Sequence, residues 1–340
     1  MQIPKSVNVD VVTALGAEAI RQTAIIQSLW GGYGELFRAT LQGGAWPSVI
    51  VKHIRLPQPE SHPRGWNTPV SHQRKLDSYQ AEVNWYRHYA SQCSPESPVP
   101  QCLYVSQQGD EILLVLEDLH TLGYSRVLKQ ADRPAIFACL RWLAEFHARF
   151  MGQEPAGLWQ TGTYWHLSTR PDEWEALDDP MLKAAAECID RALADCPYQT
   201  LVHGDAKLAN FCFTPDHSKV AAVDFQYVGK GCGMKDVCLF LSSVLTFEEN
   251  DIQIAEYLEH YFSCLKAAVE RHQPALDSEA IEAAWRPLYS VAWADFQRFV
   301  KGWSPGHWKI NPYTENLTRL GLEQVGIKES LNAGSERRSR

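Results

Sequence analysis

The 340-residue chain has no apolar run long enough to span a bilayer. Its nearest candidate, Ile112 to Leu116, suits a buried strand, so no membrane partner is expected. The start, MQIPKSVNVDVV, lacks the basic, apolar and small-residue succession of a secretory signal. The nine cysteines are odd in number and contain no CxxC pair, which argues against a disulfide framework and against a zinc site. They read as reduced thiols of a cytoplasmic protein, most of them small core residues. Positive charge is also scarce: 32 Lys and Arg stand against 40 Asp and Glu, a net charge of −8. No basic face suits nucleic acid, and the acidic balance only weakly favours a cationic substrate. No internal repeat is visible, and nothing sets the oligomeric state. What remains is an ordinary globular composition, 45% apolar and 21% charged, on a chain long enough for two lobes.

In chain order, Val11 to Ala24 has a helical look. Three strand-like pieces follow: Ile25 to Trp30, Glu35 to Leu41 and the β-branched Ser48 to Ile54. Between the first two lies Gly31-Gly32-Tyr33-Gly34, a turn whose missing Cβ atoms let backbone N–H groups approach an anion. Lys52 sits inside the third strand. Residues 56 to 77 are Pro-rich and polar, hence a loop, and Ser78 to Ala90 carries an apolar stripe of Tyr79, Val83, Tyr86 and Ala90 at helical spacing. Glu82 lies on the edge of that stripe and is the best available partner for Lys52. Leu103 to Ser106 and Glu111 to Leu116 read as a hairpin, after which strand character stops at Glu117-Asp118-Leu119.

The remainder reads as mostly helical. Pro134 to Phe150 is a buried helix in which His147 suits a hydrogen-bonded core position. Residues 151 to 175 are loop-like, and Asp179 to Cys196 is a further helix. Ile254 to Ala268 is amphipathic, and Ser278 to Val300 is a helix kinked near Pro287. Asp295 falls on its apolar face, so it is either tied to an arginine, Arg298 or Arg286, or lines a cleft. Trp303, His307 and Trp308 cluster near it in sequence, and Gly334 to Arg340 read as a disordered tail.

Residues 201 to 240 carry the chemistry. An apolar strand ends at Val202, and His203, Asp205, Lys207 and Asn210 follow in a loop. An aspartate there can accept the proton of an attacking hydroxyl. The asparagine can return to the same spot and offer its carbonyl oxygen to Mg²⁺. A second strand, Val220 to Val223, delivers Asp224, a carboxylate suited to the same ion, and Asp236 follows a glycine-rich link.

His203-x-Asp205-x-x-x-x-Asn210 followed by Asp224-Phe225-Gln226 resembles the catalytic loop and metal-binding motif of protein-kinase-like enzymes. Gly204 after the histidine and Gln226 after the phenylalanine make it similar to the aminoglycoside phosphotransferase and choline kinase group, and within it to the ecdysteroid-kinase-like family. Leu116-Glu117-Asp118-Leu119 resembles the group's interlobe hinge, and Leu143 to Ala148 one of its helix segments. The resemblance spans about residues 25 to 300. It implies an α+β, bilobal fold: a small antiparallel sheet lobe binding nucleotide (1–117), a larger helical lobe with catalytic and substrate groups (118–333), and the tail (334–340). It implies ATP and Mg²⁺ as cofactors, a small-molecule hydroxyl acceptor, Asp205 as base, and Asn210 and Asp224 as metal ligands. His203 would brace the loop and Asp236 would fix it from behind. Lys207 would approach the γ-phosphate. Lys52 with Glu82, the glycines Gly31, Gly32 and Gly34, and Glu117, Asp118 and Leu119 would hold the nucleotide. The glycine turn departs from the full protein-kinase loop, and the short Asp224-to-Asp236 link argues against a protein substrate.

Asp295, Trp303 and Trp308 are the candidates for the acceptor, through cation–π contact with an amine or by packing on a sugar or sterol ring. Two other readings compete. One is a catalytically silent nucleotide-binding protein of the same fold. The other is a metallohydrolase using His203 and Asp205, for which His217 is the only further ligand nearby.

Overall fold

A computed structural model describes residues 4–29, 32–55, 69–245 and 251–327. Helix α1 (Lys5–Leu15) stops at Gly16, whose φ of 61° closes the helix in the left-handed region. This displaces the expected Val11-to-Ala24 helix, because Ala19 already begins a strand, β1 (Ala19–Ser28). The strand expected from Ile25 is its second half; the strand is exposed over most of its length, so no alternation marked where it begins. Strands β2 (Gly34–Gln42) and β3 (Ser48–Arg55) follow, and helix α2 (Pro69–His88) begins well before the expected Ser78. Strands β4 (Cys102–Gln108) and β5 (Glu111–Glu117) form the expected hairpin. The five strands make one antiparallel sheet in the order β1-β2-β3-β5-β4. Val49, Val51, Leu113 and Val115 bury its central strands against Val7 and Val11 of α1.

Helix α3 (Arg133–Arg149) starts where the Asp132 carboxylate accepts the Ala135 N–H. It is buried around nearly its whole girth, and His147 within it bonds the Tyr261 hydroxyl and Asp236. The stretch expected as loop ends in a short helix, α4 (Pro171–Ala176), with proline at its first position and Asp172 and Glu173 in its first turn. Helix α5 (Pro180–Ala194) is capped by Asp179. Two short ladders come next: β6 (Thr200–Val202) pairs with β9 (Gly229–Gly231), and β7 (Phe211–Phe213) with β8 (Val220–Ala222). Helices α6 (Met234–Val244) and α7 (Asp251–His272) follow. The expected kinked helix is two helices, α8 (Ser278–Trp285) and α9 (Leu288–Trp303), broken at Arg286-Pro287 because proline supplies no N–H to continue the ladder. A capping box of Asn311 and Thr314 opens α10 (Pro312–Gln324).

The fold class is therefore α+β, a small N-terminal antiparallel sheet followed by a mainly helical remainder. An aromatic cluster joins the two parts: Trp85 of α2 stacks on Phe225 at 4.4 Å, and Phe146 and Trp142 of α3 pack on the same ring. No helix among the described residues is long and apolar enough to cross a membrane. Gly31 and the residues of the expected C-terminal tail lie outside the described residues.

Candidate active site

Strand β6 ends in a loop with no freedom of its own. Gly204 has φ 81°, and a Cβ there would stand 2.0 Å from the Tyr227 carbonyl oxygen, so only glycine fits. The buried Asp236 carboxylate accepts the His203 N–H at 2.6 Å and the Gly204 N–H at 2.9 Å, and it also meets His147 Nε2 at 3.1 Å. The Asp205 N–H donates to His203 Nδ1 at 3.2 Å, which leaves Nε2 protonated to donate to the Val223 carbonyl at 3.0 Å. His203 thereby ties the loop to the strand that delivers Asp224.

Asp205 is 6% exposed. Its Oδ2 accepts from Lys207 Nζ at 2.8 Å and from Asn210 Nδ2 at 3.0 Å. Its Oδ1 is buried and accepts no hydrogen bond from the described residues. A buried carboxylate oxygen left this way is costly unless another group donates to it. Burial raises the carboxyl above its usual range, and Asp224 adds to that against the opposing Lys207 ammonium. Asn210 also donates to the Asp205 carbonyl at 2.8 Å, so its amide nitrogen is committed and its oxygen is the atom available to a cation.

Asp224 follows β8 in the left-handed region, with φ 69°, a conformation aspartate tolerates and functional turns favour. Its Oδ1 accepts from Gln226 Nε2 at 2.6 Å and from Lys52 Nζ at 3.4 Å. Burial works against ionisation here, but the Lys52, Lys75 and Lys207 ammonium groups prevail and hold the carboxyl at about 2. Lys52 points inward from β3 and donates to Glu82 of α2 at 2.6 Å, both side chains buried. Glu82 and Asp224 together outweigh the desolvation of Lys52 and keep it charged. One lysine from the sheet, one glutamate from α2 and one aspartate from the helical part thus meet at a single point.

The other sequence candidates have contacts of their own. The Gly32 N–H is bonded to the Leu29 carbonyl at 3.2 Å, so it serves the turn, and a Cβ on Gly34 would meet the His53 carbonyl at 2.0 Å across the β2–β3 ladder. Both glycines have local reasons in the hairpin. Glu117 ends β5. The Asp118 and Leu119 carbonyls close a short turn by accepting from Thr121 and Tyr124, and the Asp118 carboxylate is occupied by Arg38 at 2.6 Å and Ser48 at 2.7 Å. Asp295 is 1% exposed with both oxygens bonded: Oδ1 to Arg298 at 2.8 Å and Oδ2 to Trp165 Nε1 at 2.9 Å. The arginine pairing is the one realised, and Asp295 offers no carboxylate to an acceptor. Trp303 stacks on Phe299 and is exposed, as is Trp308. His217 lies in the β7–β8 turn bonded to Asp132, so it does not join His203 as a ligand.

Two lysines were missed, and Gln226, read as part of the motif, was given no contact. Lys75 donates to Gln226 Oε1 at 2.7 Å, which turns the Gln226 amide N–H toward Asp224. Lys75 and Glu82 are seven residues apart and share one face of α2, a signal that needed the helix to begin at Pro69. Lys309 comes close only through tertiary folding, and no spacing in the sequence marks it.

The sequence model of the phosphotransferase enzyme family (APH) matches residues 34–276. No curated protein matches the chain. Solved structures to which it is similar include an aminoglycoside-3′-phosphotransferase of type VIII, at 18% identity over 84% of this chain and 99% of that one, with a TM-score of 0.45. A choline kinase from Cryptosporidium parvum Iowa II is similar at 11% identity, 89% of each chain and a TM-score of 0.46. A choline/ethanolamine kinase family protein from Mesorhizobium loti is similar at 13% identity, 93% of this chain and 98% of that one, with a TM-score of 0.48. Matched from β2 to just beyond α7, the chain belongs to the phosphotransferase enzyme family.

Proposed function

We propose that the protein is an ATP- and Mg²⁺-dependent kinase that phosphorylates a hydroxyl of a small molecule, with Asp205 as the base. The observation that carries this reading is the buried Asp205 Oδ1 without a donor, beside an Oδ2 held by Lys207 and Asn210. A substrate hydroxyl donating to Oδ1 would be oriented for attack and would lose its proton there as the bond to phosphorus forms. The raised carboxyl of Asp205 improves it as an acceptor at neutral pH.

Asp224, ionised, and the Asn210 oxygen fit a hard divalent cation, which would neutralise charge on the transferring phosphoryl group. Lys52, held in place by Glu82, would bind nucleotide phosphate oxygens, and Glu117 to Leu119 would face the base. In this reading residues 1–117 act as the nucleotide lobe and 118–333 as the catalytic lobe. His203 and Asp236 fix the loop without touching substrate. A catalytically silent protein would have no use for a buried carboxylate oxygen kept without a donor.

The test pairs binding with turnover. MgATP should raise the melting temperature of the parent protein, and Asp224→Ala should remove that rise. ADP release should appear in a screen of hydroxyl compounds spanning neutral, cationic and anionic members. Equal stabilisation of Asp224→Ala and parent, with no ADP release in any mixture, would overturn the reading.

A further inference from the structure

Lys309 lies beyond residue 276, where the family match ends. Its backbone is pinned on three sides: its carbonyl accepts from Gln297 Nε2 and from Thr314 Oγ1, each at 2.7 Å, and its N–H donates to His307 Nδ1 at 3.1 Å. Its ammonium donates to Ser242 Oγ at 3.0 Å, with the rings of Phe296 at 5.2 Å and Trp308 at 5.6 Å. Ser242 is adjacent to Ser243, whose hydroxyl accepts the Leu208 N–H at 2.9 Å in the turn that follows Asp205. The ammonium is thus anchored to the helix end that holds the catalytic loop, within electrostatic reach of both Asp205 and Lys207.

No carboxylate among the described residues lies at ion-pair distance from Lys309, whereas Lys207 is paired with Asp205. Burial pushes the Lys309 ammonium down to about 8, with Lys207 adding to this and Cys238 and Asp205 opposing. Arg170 and Arg74 stand within electrostatic reach of Tyr227, which also feels Asp205 and Asp224. Arg170 is paired with Glu173, and Arg74 is bonded to the Thr169 carbonyl. Around Asp205 itself the ammonium groups of Lys207, Lys75 and Lys309 stand against the carboxylates Asp205 and Asp224. A partly desolvated ammonium beside a second one is unfavourable until an anion joins them. A cationic acceptor would meet repulsion from both lysines, and the Phe296 and Trp308 faces are already turned to a cation.

We infer that the acceptor carries an anionic group, a carboxylate or a phosphate, close to the hydroxyl that is phosphorylated, and that Lys309 binds this group. This rests on the reading of Asp205 as the base and narrows the class of its acceptor.

The experiment compares matched hydroxyl compounds on the full-length protein: glycerol, glycerate, glycerol 3-phosphate and choline, and glucose, glucuronate, glucose 6-phosphate and glucosamine. ADP release and calorimetric binding without nucleotide are both read. Turnover and binding confined to the anionic members are expected, the carboxylate and phosphate arms showing which anion is preferred. Lys309→Met should weaken acceptor binding and raise its KM about 10- to 100-fold, the range for a lost charged hydrogen bond. Lys309→Arg should recover most of this loss. Preference for the neutral or cationic members would overturn the inference, as would a Lys309→Met effect on MgATP affinity in place of acceptor affinity. Acceptor-independent ATP hydrolysis with no response to any anionic compound would also overturn it. Absence of ATP turnover in every mixture would instead count against the phosphotransfer reading itself. The ranking of acceptors is measured on the parent protein, so it stands even if a variant fails to fold.

Discussion

Two buried aspartates in this molecule each keep a basic partner close in sequence, and they differ in one oxygen. Asp295 in α9 has Oδ1 on Arg298 and Oδ2 on Trp165, and nothing is left over. Asp205 has Oδ2 on Lys207 and Asn210, while Oδ1 accepts nothing from the described residues. The partners differ as well: the Arg298 side chain is fully buried, whereas the Lys207 side chain is 45% exposed. A carboxylate satisfied on both sides by a rigid arginine fork and an indole holds helices together. One left open on one side and paired with a half-exposed lysine on the other has room for a further donor, as the proposed base requires.

Replacing each aspartate should separate the two cases. Asp205→Asn should lower kcat by about 10²–10⁴-fold, the usual contribution of a positioned general base, with the melting temperature preserved or raised. Turnover near that of the parent would erase the contrast. Asp295→Ala should do the reverse: about 3–5 kcal/mol of stability lost in a denaturant titration, because Arg298 remains buried without its counter-charge, and unchanged turnover per folded molecule. Asp118 offers a milder control at the end of the sheet. Asp118→Asn should lose about 1–3 kcal/mol at neutral pH through its bonds to Arg38 and Ser48. Burial works to raise the Asp118 carboxyl, but those bonds depress it below the usual range. Its contribution is therefore full above the unfolded value of about 4 and fades as pH falls through the lower folded one. A parent-minus-variant difference that shrinks between pH 7 and 5 would contradict this. The smallest effect belongs to Lys207→Met, about 0–1 kcal/mol of stability, as for an exposed ion pair. A loss comparable to that of Asp295→Ala would mean the two pairs are alike after all.

The half of the site nearest Asp205 was legible because its residues sit within one short stretch, His203 to Asp224, and their spacing is set by two short strands. Lys52 was legible because β-branched neighbours marked its strand, and Glu82 because it edged an apolar stripe. The start of α2 was hidden by a polar, proline-rich approach, and with it Lys75. Asp295 misled as a candidate for the acceptor because a carboxylate on an apolar face looks the same in sequence whether its partner closes it off or leaves it open. Lys309 could not be read at all, since only the packing of α6, α9 and the loop after α9 brings it toward Asp205. Strand β1 was read only from Ile25 onward, and its first half escaped for the opposite reason: exposed over most of its length, it shows no alternation to recognise.

The Asp236 carboxylate has a consequence for how damage spreads. It grips two successive amides of the loop that carries Asp205 while leaning on His147 of α3, which in turn rests on Tyr261 of α7, all fully buried. The Asp205 carboxylate, the proposed base, is therefore bolted to the interior, and its aim is a gauge of core integrity. A substitution as remote as Tyr261→Phe, harmless to every group in the cleft, would be felt first as mis-aim at Asp205 and only later as unfolding. Catalysis in this chain would fail before the fold does.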